Sequence, residues 1–174
     1  MMTTIEIADV IIITLAGRQF PIYLTSFYGR GFDEADVLGI NRNGFIYEYE
    51  IKRSRADYLA DFKNKTFKHT KLRERDAIRI YDEYKNGHRT GNKNEFVVIP
   101  NNFYFVCEEG LIKKEEVPEY AGLIYCYESY MMEIKPSKRL HNNKANIILY
   151  ARIATVLSQR QLFGNAYYKY KHSN

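Results

Sequence analysis

The sequence predicts a single α/β domain spanning residues 1–174, with a mixed β-sheet flanked by helices. Three observations predict it. Apolar spacing alternates between helical and strand periods in the order helix, strands, helix, strands, helix, a succession that layers into α/β packing. The 174 residues are 45% hydrophobic and 27% charged, enough to bury one core and unlike the composition of a disordered chain. Asn43-Gly44 lies between two apolar runs, which is the turn chemistry of a tight hairpin.

Element by element, the chain reads as follows. Thr4 precedes a run in which Ile5, Ala8, Ile12 and Leu15 recur at helical spacing until Gly17, predicting a first helix. "FPIYLTSFYG" reads as a strand, "GRGFDE" as a flexible link, and "ADVLGI" as a second strand. After "NRNG" a third strand alternates: Phe45, Tyr47, Tyr49 and Ile51 share one face, and Ile46, Glu48, Glu50 and Lys52 the other. The period then turns helical, with Ser54 as N-cap, Asp57 three residues on, and Tyr58, Leu59 and Phe62 as an apolar stripe. Ala77, Ile80, Tyr81 and Tyr84 mark an inserted amphipathic helix, and "NGHRTGNKNE" a loop, within an insertion around residues 70–95. "FVVI", "FYFVC" and "GLIYCY" are further strands, the last pairing with "YMMEI" as a hairpin. A C-terminal helix is expected from Asn143 to Phe163, ending at Gly164 before a "YYKYKH" tail.

Cys107 and Cys126 fall inside apolar strands without metal-ligand spacing, so they read as reduced core thiols. The N-terminal apolar stretch lacks a basic flank and carries Glu6 and Asp9, which fits neither a signal peptide nor a membrane span. A cytoplasmic protein with no membrane partner is the expectation. Formal charge is only +5, but its distribution is uneven: residues 52–75 hold nine basic side chains against three acidic ones.

The alternation of the third strand raises a question of register. With a three-residue loop, Arg42-Asn43-Gly44, position 41 pairs with 45, and Asp36 faces Glu50. A two- or four-residue loop would instead oppose Asp36 to position 51 or 49 and separate the carboxylates. The three-residue loop wants a left-handed residue at its last position, where Gly44 stands. Directly opposed side chains have Cβ atoms about 5 Å apart, so two carboxylates there repel unless a cation lies between them. Hard divalent cations take such oxygen ligands, and Mg²⁺ commonly combines one or two carboxylates with water and phosphate oxygens. Asp36 and Glu50 could hold Mg²⁺ or Mn²⁺, with the Ile51 carbonyl as a further ligand. Lys52, on the face of Glu50, could hold a water and stabilise phosphoryl charge. The chemistry suggested is metal-assisted phosphodiester hydrolysis, against the plainer reading of Glu-x-Glu-x-Lys as a solvated strand face.

Asp36-Val-Leu-Gly, then Glu50-Ile-Lys52, then "SRADYLAD" opening a helix, resembles the core of the PD-(D/E)XK nuclease superfamily, whose fold is restriction-endonuclease-like. Within it the chain is most similar to MmcB-like DNA-repair proteins and to related phage and bacterial nucleases. "NNFYFVCEEGLI", "VPEYAGLIYC" and "IKPSKRLH" resemble later segments of the same proteins, so the likeness spans roughly residues 30 to 141. The resemblance implies a Mg-dependent deoxyribonuclease acting in DNA repair, recombination or phage genome processing, or a DNA-binding module that keeps the fold without cleavage. It implies Asp36 and Glu50 as metal-binding acids and Lys52 as the catalytic lysine. Ala35 replaces the superfamily's Pro. Glu48 stands where relatives are usually apolar, either as an extra acid near the metal or as a sheet-edge residue. Glu6, on the first helix, is the candidate for a third acid.

DNA phosphates are bound chiefly by Lys and Arg, with little sequence information. Lys63, Lys65, Lys68, His69 and Lys71 follow the helix that leaves the third strand, and are the expected backbone contacts, with Arg30 shortly before Asp36. The alternative for such a run is a solvated charged face. Tyr167, Tyr168 and Tyr170 offer rings for stacking on exposed bases.

Overall fold

Thr3 opens the first helix. Its hydroxyl accepts from the Glu6 N–H while the Glu6 carboxylate accepts from the Thr3 N–H, a capping box that satisfies two otherwise orphaned donors. Helix α1, Thr4–Gly17, buries Ile7, Ala8, Val10, Ile11 and Leu15. The buried stripe is therefore turned from the expected one, and Ile5 is 74% exposed. The computed structural model describes residues 1–29, 32–74 and 99–171. The inserted helix and loop expected over 75–95, most of "FVVI", and Arg30 lie outside the described residues.

Strands β1, Ile22–Gly29, and β2, Phe32–Ile40, run antiparallel. The second strand begins earlier than expected and takes in Asp33 and Glu34. Strand β3, Ile46–Ile51, returns along β2 with Ile40 opposite Ile46 and Val37 opposite Tyr49. This is the register of the three-residue loop. Gly44 sits at φ 81° and donates to the Asn41 carbonyl, while the Asn41 side chain accepts from the N–H groups of Asn43 and Phe45. A side chain with a Cβ would be strained at that φ.

Helix α2, Arg55–Asn64, follows β3 after a short turn, with the Ser54 side chain accepting from the Asp57 N–H. Tyr58 is buried on it, but Leu59, expected on the same stripe, is 50% exposed; the other buried position is Asp61. Helix α3, Thr66–Glu74, continues the chain and was not expected as a helix, because its buried face is Lys68, His69, Lys71 and Leu72 rather than an apolar stripe. Strand β4, Asn102–Cys107, pairs parallel to β3, and β5, Ala121–Cys126, parallel to β4. Strand β6, Met131–Lys135, closes the sheet antiparallel to β5, as the expected hairpin. Sheet order is β1-β2-β3-β4-β5-β6, a mixed α/β arrangement with β3 and β4 central.

The sheet's two faces have different cores. On one, α1 packs over Val37, Tyr49, Ile51, Tyr104 and Val106. On the other, Tyr58 of α2 and Leu72 of α3 meet Phe103, Phe105, Leu123 and Tyr120. Cys107 and Cys126 are buried free thiols, one in each core. Burial pushes the Cys107 thiol up to about 12, so it is kept protonated as an apolar filler.

The chain divides into two compact units, Met1–Lys144 and Ala145–Asn174. The second unit carries helix α4, Ile147–Lys171, whose Leu149 N–H is capped by the Asn146 side chain. That cap sets its start later than Asn143. It passes through Gly164, which costs a helix interior only about 1 kcal/mol relative to Ala, and through most of the expected tail. No helix among the described residues is long and apolar enough to cross a membrane.

Candidate active site

The register of the β2–β3 hairpin brings Asp36 beside the end of β3, where its Oδ2 accepts the Ile51 N–H at 2.7 Å. Asp36, Glu50, Ile51 and Lys52 line one cavity of about 290 Å³, together with Asp61 and Lys65 from α2 and its C-terminal end and Thr4 at the start of α1. The residues expected for metal binding and catalysis therefore share a single concave site. Burial, with the Glu50 carboxylate as neighbour, pushes the Asp36 carboxyl up to about 6.

Glu50 faces the α2/α3 side and is almost completely buried. Lys52 Nζ donates to its Oε1 at 3.0 Å, Lys65 also reaches Oε1, and Lys68 Nζ donates to Oε2 at 2.7 Å. Burial alone would raise this carboxyl, but Lys68, Lys52 and Lys65 outweigh it and hold it below the usual carboxylate range.

Glu48 is not a sheet-edge residue. Strand β3 is interior, Glu48 is 1% exposed, and Lys68 Nζ lies 2.5 Å from its Oε1. Burial raises its carboxyl to about 7 against the opposing pull of Lys68. Lys68 in turn is held above the ordinary lysine range by Glu48 and Glu50, despite its burial.

The expected phosphate contacts divide. Lys63 is exposed. Lys65 is partly exposed and pairs with Glu50 and Asp61. Lys68, His69 and Lys71 are buried: Lys68 by the pairs just described and the Glu34 carbonyl, His69 against Asp61, and Lys71 against Asp33 at 2.5 Å. These three do not form a surface for DNA, because a carboxylate or carbonyl already takes each side chain and polar groups this buried need such partners. Glu6 also departs from expectation. Its carboxylate closes the α1 capping box and lines a different groove from the one that Asp36 and Glu50 line.

Two residues not expected in the site complete it. Asp61 Oδ1 accepts from Lys52 Nζ at 2.6 Å, and Asp61 Oδ2 lies 2.8 Å from His69 Nε2. The Tyr120 hydroxyl is 2.8 Å from His69 Nδ1. The signal for Asp61 was present in its spacing: residues 58, 61, 62 and 65 fall on one helical face, and 68 and 69 continue that spacing.

The donor set suits a hard divalent cation. Two carboxylates, one with its acidity weakened chiefly by burial and then by the other, line the cavity beside the Ile51 backbone, and an oxygen-seeking cation would favour the ionised form of both. Among the described residues no cluster of three or more His, Cys, Asp or Glu side chains forms a metal site by itself. Two acids and a carbonyl with water are the pattern of Mg²⁺ rather than of a closed protein cage.

No family model matches the sequence, and no curated protein does. Among solved structures the chain is similar to the SPO1766 protein of unknown function from Silicibacter pomeroyi, at 17% identity and a TM-score of 0.62, over 94% of this chain and 91% of that one. A likeness at this identity shows the α/β fold alone.

Proposed function

We propose that the protein is a metal-dependent nuclease that hydrolyses phosphodiester bonds in DNA. The observation that carries the reading is the placing of Asp36, Glu50 and Lys52 on one cavity by a hairpin register that the sequence itself specifies. Asp36 and Glu50, with the Ile51 carbonyl, would hold Mg²⁺ or Mn²⁺, which when bound polarises the phosphoryl oxygen and eases deprotonation of water. Lys52 supplies a fixed ammonium, whose N–H groups orient the attacking water and stabilise charge on the phosphoryl oxygens. Lys63 offers an exposed contact for the sugar-phosphate backbone. The PD-(D/E)XK resemblance supports this reading, and a role in DNA repair, recombination or phage genome processing is part of the proposal.

One observation favours a second reading, a DNA-binding module that keeps the fold without cleavage. Both Glu50 oxygens already accept from lysines, so a metal must compete with Lys65 for Oε1. Incubating the protein with circular single-stranded and duplex DNA, with Mg²⁺ or Mn²⁺, separates the two. Nicking or linearisation that disappears in Lys52→Ala is expected. Cleavage that survives the substitution overturns the assignment of Lys52, and salt-sensitive binding without any cut establishes the module.

A further inference from the structure

The buried groups that the proposed chemistry does not use form a continuous path to the one it does. Tyr120 lies on the loop before β5, His69 on α3, Asp61 on α2 and Lys52 at the end of β3, so four separate elements converge. Contacts of 2.8, 2.8 and 2.6 Å link them in that order. Each member is at most 4% exposed.

We propose that Asp61, His69 and Tyr120 are positioning residues that fix the Lys52 ammonium against Glu50; as a contribution to catalysis, the inference rests on the nuclease reading. Lys52 has four rotatable bonds and three N–H groups. Among the described residues its Nζ donates to two carboxylates, Glu50 at 3.0 Å and Asp61 at 2.6 Å, which leaves its third N–H for a water or a phosphoryl oxygen. That third N–H is aimed only as well as Asp61 is held. Asp61 is oriented by His69, since Oδ1 takes Lys52 and Oδ2 takes the imidazole.

The imidazole is oriented in turn by Tyr120. The Asp61 carboxylate can only accept, so the hydrogen of Nε2 points at Asp61 across 2.8 Å, while the Tyr120 hydroxyl engages Nδ1 on the other side of the ring. Aromatic packing keeps the ring in place: His69 lies 4.6 Å from the Phe62 ring and 6.2 Å from Phe105, centroid to centroid.

The test combines kinetics with a readout that needs no activity, the ¹⁵N resonance of Lys52 Nζ in the labelled protein without DNA. His69→Leu is expected to lower kcat by about 10- to 100-fold, the usual effect of removing an outer-shell partner, with KM for DNA unchanged. His69→Gln, whose amide can still donate to Asp61, is expected to recover most of the loss. The Lys52 Nζ signal should shift or broaden in His69→Leu, less so in Tyr120→Phe, and stay near its original place in His69→Gln. An unmoved signal in folded His69→Leu, or a loss confined to KM, overturns the inference. If His69→Leu does not fold, Tyr120→Phe decides by the same signal. If the unaltered protein cuts no DNA, the nuclease reading fails, while the Nζ signal still decides whether this chain fixes Lys52.

Discussion

Lys52 lies closer to Asp61 on helix α2, at 2.6 Å, than to Glu50 on its own strand, at 3.0 Å. The ammonium therefore ties β3 to α2, and Asp61 is as much a part of the site as the two expected acids. Asp61 also meets Lys65 at 3.3 Å and His69 at 2.8 Å. Removing its charge leaves a buried ammonium without its nearest partner, and breaking a buried pair from one side costs about 3–5 kcal/mol.

Asp61→Asn should therefore lower the urea midpoint at neutral pH. Burial would raise the Asp61 carboxyl, but His69 and Lys52 hold it well below the carboxylate range. A depressed carboxyl contributes stability above its unfolded value, about 4, and loses it as the pH falls toward the folded value. The difference between Asp61→Asn and the unaltered protein should accordingly shrink below about pH 4. Urea titrations at several pH values measure this.

Lys68 is the cation of the sheet interior. It sits 2.5 Å from Glu48 and 2.7 Å from Glu50, with the Phe103 ring centroid 5.3 Å away. Lys68→Met keeps the length of the side chain but leaves two buried acids facing each other, and should destabilise by about 3–5 kcal/mol. Adding Glu48→Leu removes one of those acids and should restore part of the loss, since an apolar replacement of a buried pair is often neutral or better. Thermal melts of both variants test this. Equal melting points for the single and double variants would show that Glu48 and Lys68 are not coupled.

The contrast between Lys68 and Asp36 explains what was legible in the sequence. Asp36 meets the end of β3 because of local rules: a three-residue loop, a left-handed Gly44, and period-two alternation. Those rules act over adjacent residues and can be read without a structure. The strands from β4 to β6 were legible for the same reason. Lys68, His69 and Lys71 look like a basic surface in one dimension, because charge alone does not say which carboxylates lie across the fold. Helix α3 was hidden by the same fact, since its buried stripe is written in charged residues matched by Glu48, Glu50, Asp61 and Asp33. Such matching depends on α2 and α3 docking over β3, a tertiary outcome that apolar periodicity does not encode.

Gly122 of β5 marks a close approach. A Cβ built there would lie 2.4 Å from the Tyr104 ring and 2.7 Å from the Ser137 backbone nitrogen. The ring stacks on Tyr49 at 5.7 Å between centroids, and its hydroxyl donates to Glu133, so it is held on both sides. Gly122→Ala should destabilise by about 1–3 kcal/mol through overpacking. Gly110→Ala, with no atom within 4 Å of its Cβ but a φ of 77°, separates backbone strain from crowding. Chemical denaturation of the two variants compares them.

Glu48 gives stability a pH dependence opposite to that of Asp61. Its carboxyl is raised to about 7 in the fold, and that of Asp36 to about 6, both chiefly by burial. A raised carboxyl holds more protons folded than unfolded, so its contribution is complete below the unfolded value and falls as the pH rises through the folded one. Stability should therefore decline between about pH 4 and 7 as these groups ionise. Glu48→Gln, neutral throughout, should flatten the upper part of that decline. Denaturation midpoints across this range, unchanged in slope by the substitution, would refute it.

DNA binding, under the nuclease proposal, should distinguish the exposed lysine from the buried ones. Lys63 is free to meet a phosphate, whereas Lys71 is buried against Asp33. Each phosphate contact contributes about 0.9 to the slope of log affinity against log salt. Lys63→Ala should thus weaken binding and reduce that slope by about 1. Lys71→Ala should leave the slope unchanged while lowering the melting temperature, because its loss strands Asp33 rather than freeing a phosphate. Salt titrations of DNA affinity, paired with thermal melts, read the two effects separately. A smaller slope in Lys71→Ala with an unchanged melting temperature would mean that Lys71 leaves Asp33 to bind DNA.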